Sequence, residues 1–266
     1  MKIKLAIITF VLFVLSGCAS LPNTSVEKVG GRKVEFAMTR HDTQSVVFEN
    51  GLGGRMEWWK EVLPQISDDI TTFAYNRPGL GASEATTTPR DGAHIVDELR
   101  ALLRSKGLTP PYVLVGHSLG GLYMQLFARH YPEEVSVLIL VDSTHPKQLE
   151  GMGALKNQSL WVRTALGIMV TGVPEEELAL LSRTGEQVLS LPVPSTLAVF
   201  VLSAAQPLTE HSAVADDANE KRQDIARLYP GAKQIWVESG HAIPLEKPEA
   251  VVLAIREAIR LGQNKP

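Results

Sequence analysis

An α/β fold with a mainly parallel central sheet is what this sequence predicts, and three observations carry that expectation. From Val26 onward, short β-rich runs alternate with runs of helical spacing. Two runs, Pro111–Val115 and Val135–Val141, are continuously apolar, as strands covered on both faces are. One stretch, from Pro146 to about Pro194, breaks the rhythm with helical pieces only, and it leaves from the end of a strand. The whole chain has 266 residues, is 44% hydrophobic and carries a net charge of −3. It is therefore long and apolar enough to bury a core, and too nearly neutral for the basic footprint of general nucleic-acid binding. A single cysteine excludes an internal disulfide and any cysteine-cluster metal site.

The elements follow in order. Val26–Lys28 and Lys33–Phe36 flank Val29-Gly30-Gly31-Arg32, a hairpin signal because both glycines accept positive φ. Ser45–Phe48 is a strand ending in Asn50-Gly51-Leu52-Gly53-Gly54, and Ile70–Tyr75 is a strand ending in Asn76-Arg77-Pro78-Gly79. His94–Arg104 places Ile95, Val96, Leu99, Leu102 and Leu103 on one helical face. Strands at Pro111–Val115 and Val135–Val141 bracket a helix at Leu119–Tyr131. Strands at Thr196–Leu202 and Gln234–Val237 and a helix at Pro248–Leu261 close the pattern. Within the 146–194 stretch, helices are expected over Leu160–Val170 and Glu175–Leu189. The apolar residues Leu160, Trp161, Leu166, Ile168, Met169 and Val170 are expected chiefly to pack this cap onto the body, with a few lining an acyl pocket. The Trp58-Trp59 pair is expected to serve packing.

The N-terminus reads differently. Lys2 and Lys4 precede an apolar run from Leu5 to Leu15, and Leu15-Ser16-Gly17-Cys18 follows. A basic start, a short apolar stretch and small residues at a cleavage point are the parts of an export signal. The run is too short for a membrane-spanning helix, which needs ~20 residues. Leu-Ser-Gly-Cys resembles the lipobox of bacterial lipoproteins. That resemblance implies a signal peptide over residues 1–17, cleavage before Cys18, and acylation there, palmitate included. The lipidated Cys and a tether would occupy 18–27, with the folded domain over 28–262. Cleavage removes two lysines and no acid, moving the net charge from −3 to −5. Ala19, where inner-membrane retention signals usually have Asp, points to the outer membrane facing the periplasm. Two or more acyl chains hold a protein stably at a bilayer.

The chemistry centres on Gly116-His117-Ser118-Leu119-Gly120, a G-x-S-x-G pattern between an expected strand and an expected helix. There a serine sits on a sharp turn, small neighbours let backbone pass closely, and the helix N-terminus favours a developing oxyanion. A serine needs a base. Of seven histidines, His241 lies on a loop after the strand Gln234–Val237, at the correct sheet end. His117 is held in the elbow, His94 and His130 lie on helices, and His41 and His211 lie in polar stretches. His145 falls near the site mouth. The base needs an acid. Asp142, closing the strand Val135–Val141, is favoured because Ser203-Ala204-Ala205-Gln206-Pro207 holds none after the later strand. Glu210 remains the alternative acid, and Asp142 has the alternative role of capping the turn Ser143-Thr144-His145. Backbone donors for an oxyanion are expected at Leu119 and, from the glycine turn, at Leu52.

With these residues in hand, the chain resembles the α/β-hydrolase-fold enzymes from about Val34 to Leu261. Asn50-Gly51-Leu52-Gly53-Gly54 is similar to the family's His-Gly-x-Gly turn, with Asn50 in place of His. Tyr75-Asn76-Arg77-Pro78-Gly79-Leu80-Gly81-Ala82-Ser83 is similar to Tyr-Asp-Arg-Pro-Gly-x-Gly-x-Ser, with Asn76 in place of Asp. Gly240-His241 with Glu246-Lys247-Pro248-Glu249 is similar to the family's histidine loop and last helix. The usual Gly-x-x-Asp after the penultimate strand is missing, which agrees with an acid at Asp142. The resemblance implies a mainly parallel sheet with helices on both faces, an inserted helical cap, and a serine hydrolase with a Ser118-His241-acid triad. It implies no metal or organic cofactor. A serine nucleophile argues against the fold's dehalogenases and epoxide hydrolases. The expected substrate is a small acyl compound, foremost a carboxylic ester. Amide, thioester, C–C bond or haloperoxidase chemistry is the alternative, as is a non-catalytic envelope lipoprotein. The sequence sets no oligomeric state.

Overall fold

The structure, a computed structural model, describes residues 21–205 and 212–263. The signal peptide, Cys18, Glu210 and His211 lie outside the described residues.

Eight strands form one sheet in the order β1-β2-β4-β3-β5-β6-β7-β8. They are β1 Thr24–Val29, β2 Arg32–Thr39, β3 Val46–Glu49, β4 Thr72–Tyr75, β5 Tyr112–His117, β6 Val135–Val141, β7 Ala198–Ala204 and β8 Lys233–Val237. From β4 across to β8 all neighbours are parallel. β2 joins β4 antiparallel, and β1 pairs with β2 as the Gly30-Gly31 hairpin, both glycines at positive φ (57° and 89°). β1 therefore runs in the same direction as the parallel strands, and the chain enters it from the edge at which those strands begin. β1 starts at Thr24 and Leu21 is already buried, so the sequence reading of a tether through residue 27 is too long at its C-terminal end. Thr24 to Glu27 pair with Ala37 to Val34, because Val26 belongs to a hairpin whose turn the glycines define.

The helices are α1 Gly92–Ser105, α2 Leu119–His130, α3 Leu160–Met169, α4 Val173–Ala179, α5 Leu181–Leu189, α6 Ala213–Asp224, α7 Ile243–Glu246 and α8 Pro248–Gln263. The two-residue period of the strands divides the core between the sheet's faces. Leu114, Leu138 and Leu140 join Ile95, Leu99, Leu122 and Leu126 of α1 and α2 on one side. Val113, Val115, Val137 and Ile139 join Val251, Ile255 and Ile259 of α8 on the other. Burying a side chain of this size stabilises by about 1.5–3 kcal/mol, and these central positions are essentially inaccessible.

Between β6 and β7 the chain forms α3, α4 and α5 with short 3-10 turns. The stretch read as one helix over Glu175–Leu189 is two, joined at Leu180. α5 packs on α2 through Leu181 and Val188. α3 departs from the sequence expectation, since none of its residues is buried. Leu160, Trp161 and Ile168 are each more than 70% exposed, so they do not fasten the cap to the body. The apolar composition of α3 carried no information about which side would be covered.

Candidate active site

Ser118 follows β5 and precedes α2 with φ 53° and ψ −124°, a conformation that costs a non-glycine residue on the order of 1–3 kcal/mol. Close packing holds it there. A Cβ on Gly116 would lie 2.6 Å from the carbonyl oxygen of Gly120, and one on Gly120 would lie 2.5 Å from the carbonyl oxygens of Glu49 and Asn50. The two small positions of the motif are therefore filled by passing backbone. The Ser118 N–H donates to Val141 (3.1 Å) and its carbonyl accepts from Thr144 N–H (2.9 Å), tying the elbow to the end of β6.

Asp142 ends β6 in the left-handed region (φ 38°), which short acidic side chains tolerate better than most. Its Oδ2 lies 2.7 Å from His241 Nδ1. Its Oδ1 accepts from Ala204 N–H at the end of β7 (3.0 Å) and forms an ion pair with Arg222 Nε of α6 (3.1 Å). Burial opposes ionisation of this carboxyl, yet the His241 hydrogen bond, the neighbouring Arg222 charge and the Ala204 N–H together hold it below the usual aspartate value. Asp142 is thus a buried, ionised acceptor whose partners have fixed its orientation, and capping of the following turn is not its main contact.

His241 lies on the loop between β8 and α7 with its side chain 26% exposed. Its backbone carbonyl accepts from His117 Nε2 (2.9 Å), and the two rings lie 4.7 Å apart. His117, next to Ser118 in sequence, thereby joins the elbow to the histidine loop. Burial and the nearby His241 push the His117 imidazole down to about 3, so it is neutral and carries its proton on Nε2. Trp58 stacks on it at 5.1 Å, while Trp59 is fully buried against Phe48. Both tryptophans thus pack, Trp59 in the core and Trp58 against the His117 ring. His145 does not join the site, since its Nε2 meets Asp224 (3.2 Å) and its Nδ1 accepts from Lys147 N–H.

The glycine turn after β3 lies against the elbow. A Cβ on Gly51 would meet Ser118 Cβ at 3.1 Å and Oγ at 3.6 Å, which brings the Gly51–Leu52 peptide beside the serine. The two asparagines that replace motif residues both make structural bonds here. Asn50 Nδ2 donates to Tyr75 carbonyl (3.0 Å), and Asn76 bridges Met56 N–H (2.8 Å) and Glu35 (2.7 Å).

Sequence reasoning missed a buried ionic cluster below this turn. Arg77, Glu49 and Glu177 have no solvent-accessible side-chain surface, and Arg77 pairs with both carboxylates at 2.6–2.7 Å. Burial pushes Glu49 above the usual glutamate range despite the Arg77 charge. The carboxylates lie 28 and 100 residues from Arg77, so the only signal in the sequence was the arginine of the loop motif.

Comparison with known proteins agrees with this architecture. A family model for the alpha/beta hydrolase fold matches residues 44–166. The chain is 34% identical over 98 residues to the uncharacterized protein YqjL of Bacillus subtilis, covering 37% of this chain and 39% of that one. It is 29% identical over 159 residues to the (lyso)-N-acylphosphatidylethanolamine lipase of Mus musculus, covering 58% of this chain and 45% of that one. These aligned stretches span less than half the length of either relative. Among solved structures, an alpha/beta hydrolase fold protein from Burkholderia ambifaria superposes with a TM-score of 0.66 at 15% identity, covering 90% of this chain and 99% of that one. A thermophilic esterase from Thermogutta terrifontis gives 0.61 at 21%, covering 91% and 98%. At such identities the likeness is one of fold. The sheet order, the strained elbow at Ser118 and these likenesses lead to one conclusion: the chain has the α/β-hydrolase fold.

Proposed function

We propose that this protein is a serine hydrolase of carboxylic esters, with Ser118 as nucleophile, His241 as base and Asp142 as acid. The observation that carries the reading is the 2.7 Å contact of Asp142 Oδ2 with His241 Nδ1, on a loop that His117 ties to the strained Ser118 elbow. With Nδ1–H donated to Asp142, His241 presents Nε2 as a base. Ser118 Oγ attacks the acyl carbon as Nε2 takes its proton. The tetrahedral oxyanion is held by the Leu52 and Leu119 N–H groups. Collapse breaks the ester C–O bond, and the imidazolium protonates the departing alcohol. Water then gives a proton to Nε2 and attacks the acyl-enzyme, releasing the acid and restoring Ser118. The lipase and esterase named among the similar proteins support an acyl substrate. Amide, thioester and C–C bond cleavage use the same residues and are separated by substrate.

Labelling with a fluorophosphonate, lost on Ser118→Ala, tests the nucleophile, and a panel of acyl esters tests the bond. A folded wild type that never labels would favour a non-catalytic envelope lipoprotein.

The lipobox-like Leu15-Ser16-Gly17-Cys18 supports a second element of the proposal, anchoring in the cell envelope through acylated Cys18. Among the described residues no helix is long and apolar enough to cross a membrane. Cells fed labelled palmitate should mark the wild type and not Cys18→Ser; absence of label on both overturns the anchor.

A further inference from the structure

The geometry points to Arg77 as a positioning residue that aims the Leu52 N–H at the reacting carbonyl oxygen, with Glu177 of the cap locking it in place; this rests on the serine-hydrolase reading. All five guanidinium N–H groups have acceptors. Nη1 donates to Glu49 Oε1 (2.7 Å) and to the Asn50 carbonyl (2.7 Å). Nη2 donates to the Gly51 carbonyl (2.8 Å) and to Glu177 Oε2 (2.8 Å), and Nε donates to Glu177 Oε1 (2.6 Å). The fork is thus filled by two carboxylates and by two consecutive carbonyls of the turn that lies against Ser118.

The consequence follows from the planar peptide. In a trans unit the carbonyl and the next residue's N–H point in opposite directions. Holding the Gly51 carbonyl from below directs the Leu52 N–H to the other side of the same plane. The Gly51 carbonyl also accepts from Gly54 N–H (3.1 Å), which closes the turn. A donor fixed in advance costs no reorganisation when charge develops, which is how backbone N–H groups stabilise an oxyanion. Only the arginine fork fits here, since a lysine ammonium cannot meet two carbonyls and a bidentate carboxylate together.

The cap contributes the lock. Glu177 sits on α4, whose first turn also covers the turns that matter. A Cβ on Gly53 would meet Pro174 Cγ at 2.9 Å, and one on Gly79 would meet Val173 Cγ2 at 2.5 Å. Arg77 thereby couples the seating of α4 to the orientation of a peptide beside the nucleophile. Glu49 holds the opposite side of the fork and is itself held by the Tyr75 hydroxyl (2.5 Å) and Asn50 N–H (3.0 Å).

The test compares wild type, Arg77→Lys and Glu177→Gln for the second-order rate of fluorophosphonate labelling and for kcat and KM on p-nitrophenyl butyrate. Both variants keep a polar partner in the cluster; an apolar residue at 77 would strand two buried carboxylates and endanger folding. Arg77→Lys is expected to slow labelling and kcat on the order of 10²-fold, the loss seen when an oxyanion donor is removed, with KM changed less than about twofold. Glu177→Gln is expected to slow both on the order of tenfold. A purely structural cluster would lower the thermal midpoint and leave the labelling rate per folded molecule unchanged, and that result overturns the assignment. A loss confined to KM overturns it as well. A wild type that takes no label fails at the nucleophile itself, a different result from a labelled wild type with unchanged variants.

Discussion

Asp142 and His241 meet at 2.7 Å across 99 residues of chain, and the carboxylate comes from the end of β6 while the strand after the cap gives that carboxylate a backbone N–H, that of Ala204. Asp142 therefore precedes the cap in sequence, and the helical insertion departs from the loop that follows it.

Asp142→Asn keeps the shape and removes the charge that fixes the histidine tautomer. Turnover should fall on the order of 10³–10⁴-fold, as for other Ser-His-Asp sites, with folding retained. Steady-state kinetics on any turned-over ester checks this; a variant within tenfold of wild type would move the acid elsewhere, with Glu210 next to be substituted.

Arg222 touches the other oxygen of the same carboxylate at 3.1 Å. Arg222→Gln should lower kcat/KM on the order of tenfold, as expected when a cation beside a buried carboxylate is removed. The effect should vanish in the Asp142→Asn background, since the two act through one group.

His117 gives the protein an acid sensitivity of known sign. An unfolded chain binds a proton at this imidazole below about pH 6.5, whereas the folded protein refuses it until about 3. The unfolded state thus binds more protons in this window, and stability falls as pH drops from 6.5 toward 3, by up to ~1.4 kcal/mol per pH unit. His117→Gln retains a donor for the His241 carbonyl and has no such titration. Urea denaturation at pH 7 and pH 4.5 should show a smaller difference for the variant than for wild type.

Gly120→Ala places a Cβ 2.5 Å from the Glu49 and Asn50 carbonyl oxygens at the end of β3. Backbone cannot give way as a flexible side chain can, so the variant should lose about 1–3 kcal/mol of stability and most activity together. Gly167→Ala on α3, where a Cβ meets nothing within 4 Å, is the control and should leave activity unchanged, with stability raised by up to ~1 kcal/mol from helix propensity.

Local patterns made much of this molecule legible. The elbow, the glycine turn after β3 and the strands β5 and β6 each announce themselves within a few residues, because strand burial and tight turns restrict composition locally. Asp142 is legible as the polar residue that closes an apolar strand, and His241 as a histidine on the loop after β8. The Arg77 cluster was not legible, since Glu49, Arg77 and Glu177 become partners only when β3, the loop after β4 and a cap helix converge. Arg222 was hidden in a polar helix for the same reason. α3 misled because its apolar residues look like core material, yet Trp161 is 73% exposed. Glu210 lies outside the described residues, so the case for Asp142 rests on its own contacts.

Buried Leu21 sets how far this domain could stand off from a surface. Only three peptide units separate it from Cys18, a leash of at most about 11 Å when fully stretched. Acyl chains on that cysteine would press the sheet's entry edge toward the headgroups, while β5 runs in the same direction as β1 and carries Ser118 to the opposite edge. An enzyme moored like this would open toward the aqueous compartment and meet substrates arriving by three-dimensional diffusion, with the leaflet that holds it out of reach.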